Sequence, residues 1–92
     1  MPESFTQFES RQKAKGFDEV LERHWEPSQV VATHSHPFDA SAVVVKGEMW
    51  LTVGEATRHI PQGGSFELAR NTPHSERYGS EGASFWVARR RG

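Results

Sequence analysis

From Phe17 onward the chain is cut into short pieces by turn-forming residues, and this punctuation limits the folds open to it. "EPS" at 26–28, "KGE" at 46–48, "VGE" at 53–55, "PQGG" at 61–64, "RNTP" at 70–73 and "GSEG" at 79–82 fall at near-regular intervals. Glycine tolerates positive φ and proline has no N–H to give a sheet ladder, so each cluster marks a turn. The segments between are rich in Val, Thr, Phe and Trp, which suit a pleated, half-buried surface. None shows a 3.6-residue apolar period. The spacing predicts eight strands, at 18–25, 29–36, 40–46, 48–53, 57–60, 65–69, 74–78 and 83–89. Such a series points to an all-β sandwich or barrel. Residues 1–16 read as a polar N-terminal extension in which Phe5 and Phe8 could anchor a short helical turn. Residues 17–92 read as one domain.

Size and charge narrow the function classes. A chain of 92 residues has a thin core, and three Trp, six Phe and one Tyr must fill it. A homodimer burying one sheet face would help such a chain. With 11 basic and 12 acidic residues, no nucleic-acid or membrane role is expected. Arg89, Arg90 and Arg91 form the one basic cluster and read as a solvated tail. The absence of cysteine excludes disulfides, thiolate ligands and thiol nucleophiles. The start "MPESFTQFESRQK" has no apolar signal core, and no stretch approaches membrane-spanning length. A soluble cytoplasmic protein is the expectation.

His34 and His36 stand one residue apart on a predicted strand. Side chains at i and i+2 share a face, so the two imidazoles can tilt towards one ion. An isolated pair of this kind is weak as a signal. It gains weight from His74, which follows Pro73 at the start of another predicted strand. Three imidazoles would leave coordination positions open for water, substrate or dioxygen.

These positions resemble the motifs of the small single-domain cupins. The first cupin motif runs G, five residues, H-x-H, three or four residues, E, six residues, G. Here Ser28 is followed by five residues, His34-Ser35-His36, three residues, Ala40, six residues and Gly47. The second motif has P-x-G at a turn and, further on, a histidine after a proline; here it reads Pro61-Gln62-Gly63 and Pro73-His74. The resemblance spans roughly residues 20 to 88. It implies a jelly-roll β-barrel with a metal inside, bound by His34, His36 and His74.

The chain departs from the pattern at Ala40, where the family usually has a glutamate ligand. Asp39 is one residue off and should face the other way unless a bulge re-aims it. Glu76 is i+2 from His74 and shares its face. It could be a fourth ligand, a partner for an imidazole N–H, or an ordinary ion-pairing acid at the barrel mouth. Phe38 and Tyr78 are the other pocket candidates. Three neutral imidazoles leave a divalent ion its full charge, which favours an anionic ligand. Fe, Mn, Ni, Co and Zn all suit imidazole. His24 and His59 lack ligand spacing and read as surface residues, and Arg77 should point outward.

Two functions follow. One is an enzyme, a dioxygenase or isomerase acting on a small anionic organic molecule. The other is a non-catalytic metabolite-binding or sensory module, with or without its metal. Whether the chain is an enzyme is left open by the residues.

Overall fold

The computed structural model of the protein describes residues 3–92. Its elements are α1 (Phe5–Ala14), β1 (Glu19–Trp25), β2 (Val30–His34), β3 (Asp39–Val53), β4 (Ala56–Ile60), β5 (Ser65–Leu68) and β6 (His74–Arg90). Every strand pairing is antiparallel. The all-β architecture expected from the punctuation is present, as the jelly roll that the resemblance implied, with one difference in how its strands are divided. Six continuous strands stand where eight short ones were expected, because β3 runs through "KGE" and β6 runs through "GSEG".

The two glycine clusters bend the strands together instead of ending them. Gly47 has φ +75° and Gly82 has φ +74°. A Cβ on Gly47 would collide with the Gly82 carbonyl oxygen, and one on Gly82 with the Trp25 carbonyl oxygen. Three backbones therefore approach closely at one corner. Register shifts between Val44 and Lys46 and between Gly47 and Met49 mark bulges there.

The bend divides each long strand between two layers. In one, the second half of β6 pairs with β1 (Glu19↔Arg89 to Trp25↔Ala83) and with the first half of β3 (Asp39↔Arg90 to Gly47↔Ala83). β5 extends that layer (Ala40↔Leu68). In the other, the first half of β6 pairs with β2 (His34↔His74) and with the second half of β3 (Met49↔Tyr78). β4 extends that one (Met49↔Ile60). Each layer has four segments, so the eight expected strands are all found, two pairs of them fused.

Burial alternates along both long strands, and its parity switches at the bend. Ala40, Ala42 and Val44 are buried before it, Met49 and Leu51 after it. On β6, His74, Glu76 and Tyr78 are buried before the bend, Phe85 and Val87 after it. An inserted residue moves the inward set by one position, which keeps both halves facing the same interior. Ile60, Phe66 and Phe38 complete the core.

The N-terminal segment is a ten-residue helix, longer than the expected turn; residues 1 and 2 of the predicted extension lie outside the described residues. Ser4 and Gln7 form a capping box. The Gln7 N–H donates to Ser4 Oγ at 3.1 Å, and the Ser4 N–H donates to Gln7 Oε1 at 2.8 Å. Phe8, 1% exposed, packs on Trp86 with ring centroids 5.8 Å apart, and Phe5 meets the same ring edge-on at 5.5 Å. Burying one such side chain stabilises by about 1.5–3 kcal/mol.

The arginine cluster is not a solvated tail. Arg89 and Arg90 lie within β6; Arg89 pairs with Glu19 at 3.3 Å and Arg90 with Asp39 at 3.1 Å. Only Arg91 lies beyond the strand. Asp39 also accepts the Arg70 backbone N–H at 2.8 Å and pairs with its guanidinium at 3.2 Å.

Candidate metal centre

His34 and His74 are direct partners in the β2–β6 ladder, so their side chains leave the same face. His36 arrives by a different route from the one its spacing implied. β2 ends at His34, and residues 35 and 36 are not strand. Pro37 cannot continue a ladder. The His36 carbonyl instead accepts the Asn71 N–H at 2.7 Å, which fixes the turn. The three rings still meet. Their centroids are 4.7 Å apart for His34 and His36, 4.4 Å for His34 and His74, and 5.2 Å for His36 and His74.

Backbone carbonyls select the tautomer of two rings. His34 Nδ1–H donates to the Ala32 oxygen at 2.8 Å, and His74 Nδ1–H donates to the Thr72 oxygen at 2.9 Å. Each ring then carries its free lone pair on Nε2, the arrangement usual for metal-ligating histidine. His74 is 3% exposed. Burial lowers the pKa of His36, with further lowering from His34, His74, Arg89 and Arg23, and this favours the neutral ring that can act as a ligand.

One ligand nitrogen from each histidine lies within 4.8 Å of the others. An ion at about 2.1 Å from each nitrogen needs them roughly 3–3.4 Å apart, so small ring rotations would close the set. The donor chemistry, three imidazoles and no thiolate, fits a divalent first-row transition metal.

The carboxylates sort clearly. Ala40 points into the cavity beside the histidines and offers no donor. Asp39 faces away, and hydrogen bonds from Arg70 and Arg90 hold its pKa well below the usual carboxylate range. Glu76 is 8% exposed and lies against the cluster, with Oε2 3.6 Å from His34 Nε2. It is no rim acid. Its Oε1 accepts the Tyr78 hydroxyl at 2.9 Å. Burial and the Glu76 carboxylate push the Tyr78 pKa up, so the phenol stays a proton donor. The Tyr78 ring stacks on Trp25 at 5.1 Å. Phe38 stacks on His36 at 4.8 Å.

His24 and His59 lie outside this group. Both histidines are exposed; His24 Nδ1 bonds Ser84 Oγ at 2.7 Å and His59 Nε2 bonds Glu48 at 2.7 Å. Arg77 is also exposed and covers the Trp50 ring.

The histidines face a cavity of about 80 Å³ between the two layers. Ala40, Phe66, Phe85 and Val87 are among its apolar walls, and Arg23 and Arg89 also line it. The two arginines were not anticipated from the sequence. The available signal was parity: Leu21, Arg23 and Trp25 share one strand face, as do Phe85, Val87 and Arg89.

No family model matches the chain, and no curated protein matches it. Solved structures do. A protein of unknown function from Rhizobium leguminosarum bv. viciae superposes with TM-score 0.75 at 16% identity, over 79% of this chain and 69% of that one. An RmlC-like cupin protein from Desulfovibrio desulfuricans gives TM-score 0.64 at 23% identity, over 78% and 70%. KdgF from Halomonas gives TM-score 0.67 at 17% identity, over 79% and 68%. The chain folds as a small cupin domain. At these identities the likeness carries the fold and leaves the activity to the site. On this fold the three-histidine group fits metal binding, and among the described residues no helix is long and apolar enough to cross a membrane.

Proposed function

We propose that this cupin binds one divalent transition-metal ion through His34, His36 and His74, and that a small anionic organic molecule occupies the barrel beside it. The observation that supports this most is the convergence of three imidazoles, two of them with Nδ1 committed to backbone carbonyls. Glu76 supplies the negative charge that Ala40 cannot. It does so from β6, with Tyr78 holding one of its oxygens. A bound ion would supply Lewis acidity or a place for dioxygen, and the finer reading is isomerisation or oxygenation of the small anion. The chain's own part is to hold the reactant in a narrow chamber of apolar walls and a few charged groups, and to exclude water.

A second reading, a metabolite-binding cupin without chemistry, is favoured by the small cavity and by Glu76 being the one carboxylate placed at it. Elemental analysis of untagged protein tests the metal, beside a His34→Ala/His36→Ala variant. Near-stoichiometric metal that is lost in the variant is expected. No metal in the wild type after incubation with Fe(II), Mn(II), Ni(II), Co(II) and Zn(II) would end the metal reading and leave the second.

A further inference from the structure

Opposite the histidines, three side chains that carry hydrogen-bond donors stand among the apolar residues of the cavity wall. Arg23 and Trp25 of β1 and Arg89 of β6 all line it. The β1–β6 register puts them on one face: Arg23 pairs with Phe85 and Glu19 with Arg89. Two of the three side chains carry a buried N–H with no hydrogen-bond partner among the described residues, Trp25 Nε1 and Arg89 Nε. Buried N–H groups are almost always paired, so a pair of unsatisfied donors on one wall calls for an acceptor.

The side chain of Arg89 is 17% exposed and meets Glu19 through Nη1 alone. Its Nε–Nη2 edge has no partner among the described residues. Its guanidinium carbon lies over the Phe38 ring, 4.7 Å from the ring centre. Arg23 lies over Trp25 at 4.9 Å and makes no ion pair among the described residues. The cavity therefore holds Arg23, Arg89 and one carboxylate, Glu76, while Glu19 answers Arg89 from the strand end. A carboxylate matches a guanidinium edge by accepting two parallel N–H bonds.

We infer that Arg89, Arg23 and Trp25 form a carboxylate-binding wall, and that the ligand is a short-chain carboxylate held between this wall and the histidines. The inference deepens the reading of a small anionic ligand and rests on it for the ligand's place beside the metal site. A cavity of about 80 Å³ sets the length. Pockets for drug-sized ligands run to about 300–1,000 Å³, so this one takes a carboxylate and a few further atoms. With its carboxylate on the wall, such a molecule presents its other end to the three imidazoles.

The test uses the Trp25 Nε1–H and Arg89 Nε–H resonances of the full chain in ¹H–¹⁵N spectra. The probes are acetate and pyruvate, with acetamide and sodium chloride at matched concentration as controls. Saturable shifts of both resonances with the two carboxylates, and none with the controls, are expected. Arg89→Gln should weaken binding about tenfold or more, as loss of a charge-assisted pair does. Should that variant unfold, Arg89→Lys keeps the charge, loses the planar edge and takes its place. The His34→Ala/His36→Ala variant separates the two readings. A carboxylate response that persists there supports the wall even if the metal reading fails. A response lost there but kept in the Arg89 variants would place the anion on the metal and overturn the wall. Equal shifts with acetamide, or no saturation, would also overturn it.

Discussion

Ser28 occupies the position where the cupin motif carries glycine, and its backbone shows why the motif does so. Its φ is +57°, in the left-handed region. A side chain there costs about 1–2 kcal/mol, part of which glycine gives back as unfolded-chain entropy. Ser28→Gly should therefore stabilise by about 0.5–1 kcal/mol and raise the melting temperature by about 2–8 °C. Calorimetry checks it; a lower melting temperature would mean that the serine hydroxyl earns its place. At this scale the sequence was informative about which residues gather and less so about how. The spacing identified His34, His36 and His74, but the alternation argument for His36 fails because β2 stops two residues earlier. The face of Glu76 was readable from its i+2 relation to His74, while its burial and its hydrogen bond from Tyr78 were not. Arg89 was hidden by a charge-run reading that ignores which strand face a residue takes.

For the elements, turn chemistry located the glycine clusters and misjudged two of them. A glycine with positive φ can end a strand or bend two strands that stay paired, and only the facing backbone decides which. Gly47 and Gly54 separate these effects. Both have positive φ, but a Cβ on Gly47 meets the Gly82 carbonyl whereas one on Gly54 meets nothing within 4 Å. Gly54→Ala should cost about 1–2 kcal/mol, the conformational part alone. Gly47→Ala should cost more than that, at least about 2 kcal/mol and a fall of roughly 8 °C or more, because the strand corner must also open. Equal costs in denaturant titrations would show that the corner yields freely. Helix α1 was under-read for a different reason: Ser4-x-x-Gln7 is a capping-box sequence, and the polar composition around it masked the signal.

Over the whole molecule, Asp39 ties the start of β3 to the turn at Arg70 and to the end of β6 at Arg90. Its pKa lies below its ordinary 3.8 in the folded chain, so the native state binds fewer protons than the unfolded chain as pH falls. The stability it contributes is complete above about pH 3.8 and is lost as the pH falls below that. Wild type should melt above Asp39→Asn at neutral pH, and the gap should close on acidification below about pH 4. A gap independent of pH would assign the effect to packing. The eight β segments were legible because strand spacing and parity are local properties, while the jelly roll came from the motif resemblance. Its layering depended on pairing between distant segments. Arg89 meets Glu19 across 70 residues and Arg90 meets Asp39 across 51. Folding therefore waits on β6: at about 5–20 residues per second a ribosome holds β1 and β3 without their main partner for seconds. His74 opens that same late strand, so a nascent chain does not bring its three histidines together until β6 has been made and paired.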